Sequence, residues 1–230
     1  MRESTTATTH FLDSVLHAKA ETSPYRHWLL DNMLNEAMLQ EIAALPLAPP
    51  AITDTQGRRE THNSTRLFFG YVEQQQFRVC SDLAQTLQSR KVTETLKQTC
   101  KVDLKGSYLR IEYCLDTDGF WLEPHTDIGA KLFTMLVYLA DPKPGEEWGT
   151  DIYASATEYA GTAPYIRNHG LMFVPSLSSW HGFAKREITG VRRSLIVNYV
   201  TPEWRARHEL AFPDVPILQR SIPLKVSLRA

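Results

Sequence analysis

The stretch "EPHTDIGAKLFTMLVYL" carries His125 and Asp127 two residues apart, at the entrance to a long apolar run. With 8 histidines in 230 residues, chance alone gives roughly 0.4 His-x-Asp pairs per chain, so the pair is weak on its own. His181 in "SSWHGF" strengthens it, because it too adjoins a short apolar strand and precedes a turn. Two imidazoles and one carboxylate on adjoining strands cover one triangular face of an octahedral metal and leave three positions open, the arrangement of non-haem Fe(II) sites. A structural zinc takes four Cys or His ligands, and Cys80, Cys100 and Cys114 are not spaced for it. Eleven residues beyond His181, "GVRRSL" adds an anion receptor. On a strand, Arg192 and Ser194 share a face, and a guanidinium fork with a hydroxyl beside it suits a carboxylate. An arginine directed among apolar strands is costly unless an anion meets it. A slip of one residue would exchange Arg193 for Arg192, and His169 is a rival to His181.

These residues need strands to hold them, and the pattern supplies strands after Lys105. "SYLRIEYCL" alternates, with Leu109, Ile111 and Tyr113 on one side and Arg110 and Glu112 on the other, as in a half-buried strand. "KLFTMLVYL" is apolar on both sides and reads as a central strand. Short strands follow at "TDIYAS", "GLMFVPS" and "RRSLIVNYV". The first third reads as helical. Asn35 is placed to cap a helix whose face is Met38, Ile42 and Leu45, with Leu34 and Leu39 as a hydrophobic staple and Pro46 as its end. Phe77, Cys80, Leu83 and Leu87, then Val92, Leu96 and Cys100, continue at helical spacing. Helices followed by several short strands predict a mainly β fold with N-terminal helices, a sandwich or barrel braced by a helical layer. No linker interrupts the chain, so one domain over 1–230 is expected: a helical layer over about 1–104, a β core over about 105–201 and a C-terminal extension over 202–230.

Composition narrows the partners. A net charge of −1 gives no electrostatic reason to expect nucleic acid or an anionic membrane. Hydrophobic residues at 43% allow a sizeable core. Three cysteines without a CxxC pair argue for a reducing compartment. The first residues lack a continuous apolar segment, and no run approaches the ~20 residues of a membrane span. The expectation is a soluble, cytoplasmic protein with no nucleic-acid or membrane partner.

With those residues in place, the chain resembles the iron(II)- and 2-oxoglutarate-dependent dioxygenases, most closely the prolyl-hydroxylase-like branch, over about Tyr108 to Tyr199. The family pattern of HxD, a distal histidine and then an arginine followed by a serine falls on His125, Asp127, His181, Arg192 and Ser194. The resemblance implies a double-stranded β-helix (a cupin-like jelly roll), with Fe(II), 2-oxoglutarate and O2 as cofactor and co-substrates and ascorbate in support. It implies Tyr138, and more weakly Tyr113, as further contacts to 2-oxoglutarate. It implies oxidative decarboxylation of 2-oxoglutarate to succinate, coupled to hydroxylation of an unactivated C–H bond. Where the commoner prolyl-hydroxylase pattern has Gly-Gly, this chain has Gly149-Thr150. That departure weakens a prolyl substrate; with a near-neutral charge and no evident peptide-binding element, a small-molecule or sugar-type metabolite is the first expected substrate, and a prolyl-type protein side chain the second. A metal-binding cupin-like isomerase or binding protein is the alternative outside oxygen chemistry. The polar loop "RRETHNSTRLFF" offers His62, Asn63 and Arg66 as a substrate entrance.

Overall fold

The computed structural model describes residues 2–58, 66–127, 129–139 and 147–218. The chain opens with helix α1 (Arg2–Leu16), strands β1 (Lys19–Glu21) and β2 (His27–Leu30), helix α2 (Glu36–Ala43) and strand β3 (Arg66–Phe68). Three helices follow: α3 (Tyr71–Gln76), α4 (Arg78–Gln88) and α5 (Arg90–Cys100). Then come β4 (Tyr108–Asp116), β5 (Leu122–His125), β6 (Lys131–Tyr138), β7 (Asp151–Tyr153), β8 (Tyr159–Thr162), β9 (Gly170–Phe173), β10 (His181–Phe183) and β11 (Arg192–Val200). A 3₁₀ turn at Arg207–Glu209 lies beyond them.

The strands form two antiparallel sheets. The larger has the order β1-β2-β9-β6-β11-β4-β3 and the smaller β5-β10-β7-β8. Strand β6 is central, as its two-sided apolar run predicts, between β9 and β11. Alternation along the strands splits the interior into two cores. Leu109, Ile111 and Tyr113 of β4 join Phe133, Met135 and Val137 of β6 and Leu195, Val197 and Tyr199 of β11 against the helices. The intervening residues Cys114, Leu136, Tyr138 and Ile196 face the smaller sheet with Ile152 and Phe183. Tyr199 also ties the sheet to the helical layer, its hydroxyl donating to the Leu87 carbonyl at 2.7 Å.

Helix α2 forms as its sequence predicts. The Asn35 side chain accepts from the Met38 N–H at 2.9 Å, and Leu34 and Leu39 are buried. Three strands depart from the expected all-helical first third. Strand β2 pairs with β9, matching Trp28 to Met172, and β3 pairs with β4, matching Arg66 to Cys114. Strands β2 and β3 span only 4 and 3 residues, so both owe their form to a partner more than forty positions away, and β1 pairs in turn with β2. The cysteines are free and buried. No helix among the described residues is long and apolar enough to cross a membrane.

Candidate metal centre and its cavity

Strand register brings the three chemistry-bearing residues together. His125 ends β5 and His181 begins β10, and the two are direct cross-strand partners with ring centroids 4.4 Å apart. Asp127 follows two residues after β5. Its Oδ1 lies 3.9 Å from His125 Nε2 and its Oδ2 lies 3.6 Å from His181 Nε2. One ligand atom from each residue falls within 4.8 Å of the others.

The imidazoles are oriented by backbone. His125 Nδ1 meets the Glu123 carbonyl at 2.8 Å, and His181 Nδ1 meets the Ser179 carbonyl at 3.0 Å. A carbonyl only accepts, so each Nδ1 carries the proton and each Nε2 presents a lone pair toward the other ligands. Burial pushes the His181 imidazole down to about 4 against the pull of Asp127, which keeps it neutral near pH 7. For Asp127 burial acts upward, but Lys131 and His181 outweigh it and hold the carboxyl below the ordinary range. Lys131 Nζ donates to Oδ1 at 2.8 Å and the Thr134 hydroxyl to Oδ2 at 2.9 Å. Each carboxylate oxygen keeps a second lone pair for an ion. The donor set fits a facial metal site with open positions.

The three ligands open on a cavity of about 480 Å³ between the two sheets. Arg192 lines it, only 2% exposed, with its guanidinium 4.8 Å from the Phe183 ring. The arginine is not a free fork. Its Nε donates to the Trp148 carbonyl at 2.6 Å and its Nη1 to Asp116 Oδ2 at 2.6 Å, which leaves Nη2 for the cavity. The bidentate receptor expected from the sequence is therefore a single donor edge, because a buried carboxylate on the neighbouring strand already neutralises the charge. Ser194 stands on the same face, fully buried, and its hydroxyl has no partner among the described residues. Directly across the ladder is Tyr138, whose hydroxyl donates to Thr150 Oγ1 at 3.0 Å and accepts from the Thr150 N–H at 3.1 Å. An orphaned hydroxyl beside a guanidinium edge fits a carboxylate-bearing co-substrate at this end of the cavity.

Other candidates fall elsewhere. Tyr113 is on the opposite face of β4, in the core against the helices, where its hydroxyl interacts with Arg193. That placement removes both residues from the cavity face, since neighbours along a strand alternate. His169 sits outside the metal cluster, its ring on the Arg167 carbonyl. His62 and Asn63 lie outside the described residues, whereas Arg66 lines the cavity. The sequence did not single out Lys131, Thr134 or Asp116. Nor did it show that Arg110 and Glu112 face inward: Arg110 Nη1 lies 2.8 Å from Glu112 Oε1 and Nε lies 2.6 Å from Glu209 Oε2. The period of β4 assigns these two to one face, but nothing local says that face is covered.

No family model and no curated protein matches the chain. Solved structures do resemble it. A prolyl-4-hydroxylase from Pseudomonas putida is 13% identical with a TM-score of 0.52, over 85% of this chain and 94% of that one. A prolyl hydroxylase from Trichoplax adhaerens, in complex with a hypoxia inducible factor oxygen degradation domain peptide fragment, is 11% identical with a TM-score of 0.57, over 89% and 94%. The viral collagen prolyl hydroxylase of Paramecium Bursaria Chlorella virus-1, in a 2-oxoglutarate complex, is 12% identical with a TM-score of 0.53, over 76% and 96%. The chain thus has the fold found in these prolyl hydroxylases.

Proposed function

We propose that the chain is a single-domain Fe(II)- and 2-oxoglutarate-dependent dioxygenase built on a double-stranded β-helix. The observation that carries this reading is the convergence of the His125, Asp127 and His181 ligand atoms within 4.8 Å, at a cavity that Arg192 also lines. The likeness to prolyl hydroxylases, one of them solved with 2-oxoglutarate, supports it. When bound, iron and 2-oxoglutarate with O2 supply the oxidation of a C–H bond, 2-oxoglutarate leaving as succinate and CO2.

The protein's own part is orientation and exclusion of water. Carbonyls of Glu123 and Ser179 fix the imidazole tautomers, while Thr134 and Lys131 fix the carboxylate. Arg192 Nη2 and the Ser194 hydroxyl take the distal carboxylate of 2-oxoglutarate, with Tyr138 behind Thr150. Leu136, Phe183 and Ile196 make the apolar walls between them. A small-molecule substrate is the first reading because charged side chains line the remainder of the cavity. A prolyl-type side chain is the second, favoured by the likeness to prolyl hydroxylases.

The test is succinate formation from 2-oxoglutarate with Fe(II) and ascorbate under air. Wild-type protein is expected to turn over slowly even without substrate, and His181→Ala to fall to background. Succinate production by His181→Ala at the wild-type rate would remove the proposed centre. A wild-type protein that binds metal yet yields no succinate would return the chain to the cupin-like, non-oxygenase alternative.

A further inference from the structure

Arg192 shares the cavity with other arginines, and one of them, Arg66, stands three strands from β6 across the larger sheet. Arg66 on β3 lines the cavity with a side chain only 6% exposed, and its Nη1 lies 3.1 Å from Glu112 Oε2. Its Nε and Nη2 are buried and have no hydrogen-bond partner among the described residues. Those two donors form one edge of the guanidinium, the planar fork that matches the two oxygens of a carboxylate. Trp204 lines the same cavity, and its indole N–H is likewise buried without a partner. The two belong to one cluster. Arg110 stacks on the Trp204 ring at 5.1 Å and chelates Glu112, which in turn holds Arg66.

Buried polar groups are almost always satisfied, and here three orphans belong to two residues of one cavity wall. All three are donors, and neither side chain can accept. The cluster's own carboxylates, Glu112 and Glu209, are already engaged by Arg66 and Arg110. The described residues supply no acceptor for these donors, and the fork's geometry selects a planar two-oxygen anion.

This wall is also connected to the metal centre. Arg110 Nη1 donates to Asn198 Oδ1 at 3.2 Å, Asn198 Nδ2 to Thr134 Oγ1 at 3.1 Å, and Thr134 to Asp127 Oδ2 at 2.9 Å. Arg66 pairs with Cys114, which is matched to Ser194 and then Tyr138 across the ladder, so its backbone is two strand spacings, about 10 Å, from Ser194 and is offset by three strands and four residues from Thr134. A molecule held at Arg66 lies across the sheet from the ligands.

We infer that Arg66, with Trp204, is the anchor for a carboxylate on the primary substrate, a set of donors separate from Arg192 and Ser194, which take 2-oxoglutarate. The inference rests on the proposed oxygenase reading for the word substrate. It narrows that substrate to a small carboxylic acid oxidised several bonds from its carboxylate, and it disfavours a neutral sugar.

The experiment reads binding without turnover. Full-length protein carrying Zn(II), a diamagnetic and redox-inert ion, is labelled with 15N, and the Trp204 indole N–H resonance is assigned with Trp204→Phe. Acetate is titrated, with acetamide and inorganic phosphate as parallel arms, in the presence and absence of saturating 2-oxoglutarate. Acetate is expected to move the Trp204 resonance saturably, at least tenfold more tightly than acetamide or phosphate and with little change from 2-oxoglutarate. Arg66→Leu should abolish the shift, and Arg66→Lys, which keeps the charge without the fork, should weaken it at least tenfold while retaining the dispersed spectrum of folded protein. No saturable shift, an equal response to acetamide, or an unchanged response in Arg66→Lys would overturn the carboxylate anchor. Tighter binding of phosphate would overturn the planar-acid selection. Loss of the shift on adding 2-oxoglutarate would overturn the division of the two arginines. Succinate formation is measured separately, so failure of the anchor is distinguishable from failure of the oxygenase reading.

Discussion

At the scale of single residues, Thr134 is the junction between the candidate metal ligands and the charged wall. Its hydroxyl donates to Asp127 and accepts from Asn198. Thr134→Val removes both bonds with little change of volume, and outer partners of this kind are typically worth 10–100-fold in metal affinity. A loss of about that size in Fe(II) affinity is expected in competition with a chelating dye, and unchanged affinity would show that Lys131 alone orients the carboxylate. Ser194→Ala separates folding from co-substrate binding. The buried hydroxyl has no partner among the described residues, so its removal should cost no stability. A hydrogen bond to a charged group is worth ~1.5 kcal/mol or more, so the KM for 2-oxoglutarate should rise about tenfold. An unaltered KM would take Ser194 out of the site. The cluster of His125, Asp127 and His181 was legible in the sequence because two of them are near neighbours and the third sits in a matching setting. Asp116 was not: its role depends on lying opposite Arg192 in the ladder, seventy-six positions apart.

At the scale of elements, long patterned segments were legible and short ones were not. Helix α2 was readable from its cap and its apolar face, and β6 from its unbroken apolar run. Strands β1, β2 and β3 hold too few residues to show a period, and their form comes from pairing at the edges of the sheet. Alternation in β4 separated two faces correctly, yet the polar one is joined by Arg66 from the neighbouring strand β3 and met by Glu209 of the 3₁₀ turn. Strand β7 depends on an equally close fit. A Cβ at Gly149 would collide with the Ala163 carbonyl, a backbone group that cannot swing aside as a side chain does. Gly149→Ala should destabilise the fold by about 1–3 kcal/mol in denaturant titration and displace the adjacent Thr150 from Tyr138. A variant of unchanged midpoint would mean that the β7–β8 edge opens freely.

At the scale of the molecule, two cores do different work. The core between the larger sheet and the helices is apolar and makes the sheet rigid. The opposite face of that same sheet carries Arg192, Ser194, Asn198, Glu112, Arg110 and Thr134 toward the smaller sheet, which contributes His125 and His181. A change of face along each strand thus separates stability from the candidate chemistry. The architecture was legible as helices followed by short strands, whereas the meeting of Arg66 and Arg192 in one cavity arises from sheet order, which no local pattern encodes.

The central claim, a single ferrous ion held by His125, Asp127 and His181 and completed by 2-oxoglutarate, is tested most directly by anaerobic calorimetry. Fe(II) is titrated into the protein first, and 2-oxoglutarate into the metal-free and the iron-loaded forms. One Fe(II) per chain is expected, lost in His181→Ala, with 2-oxoglutarate binding at least tenfold more tightly once iron is present. Iron binding that survives His181→Ala undiminished, or 2-oxoglutarate binding indifferent to iron, would contradict it.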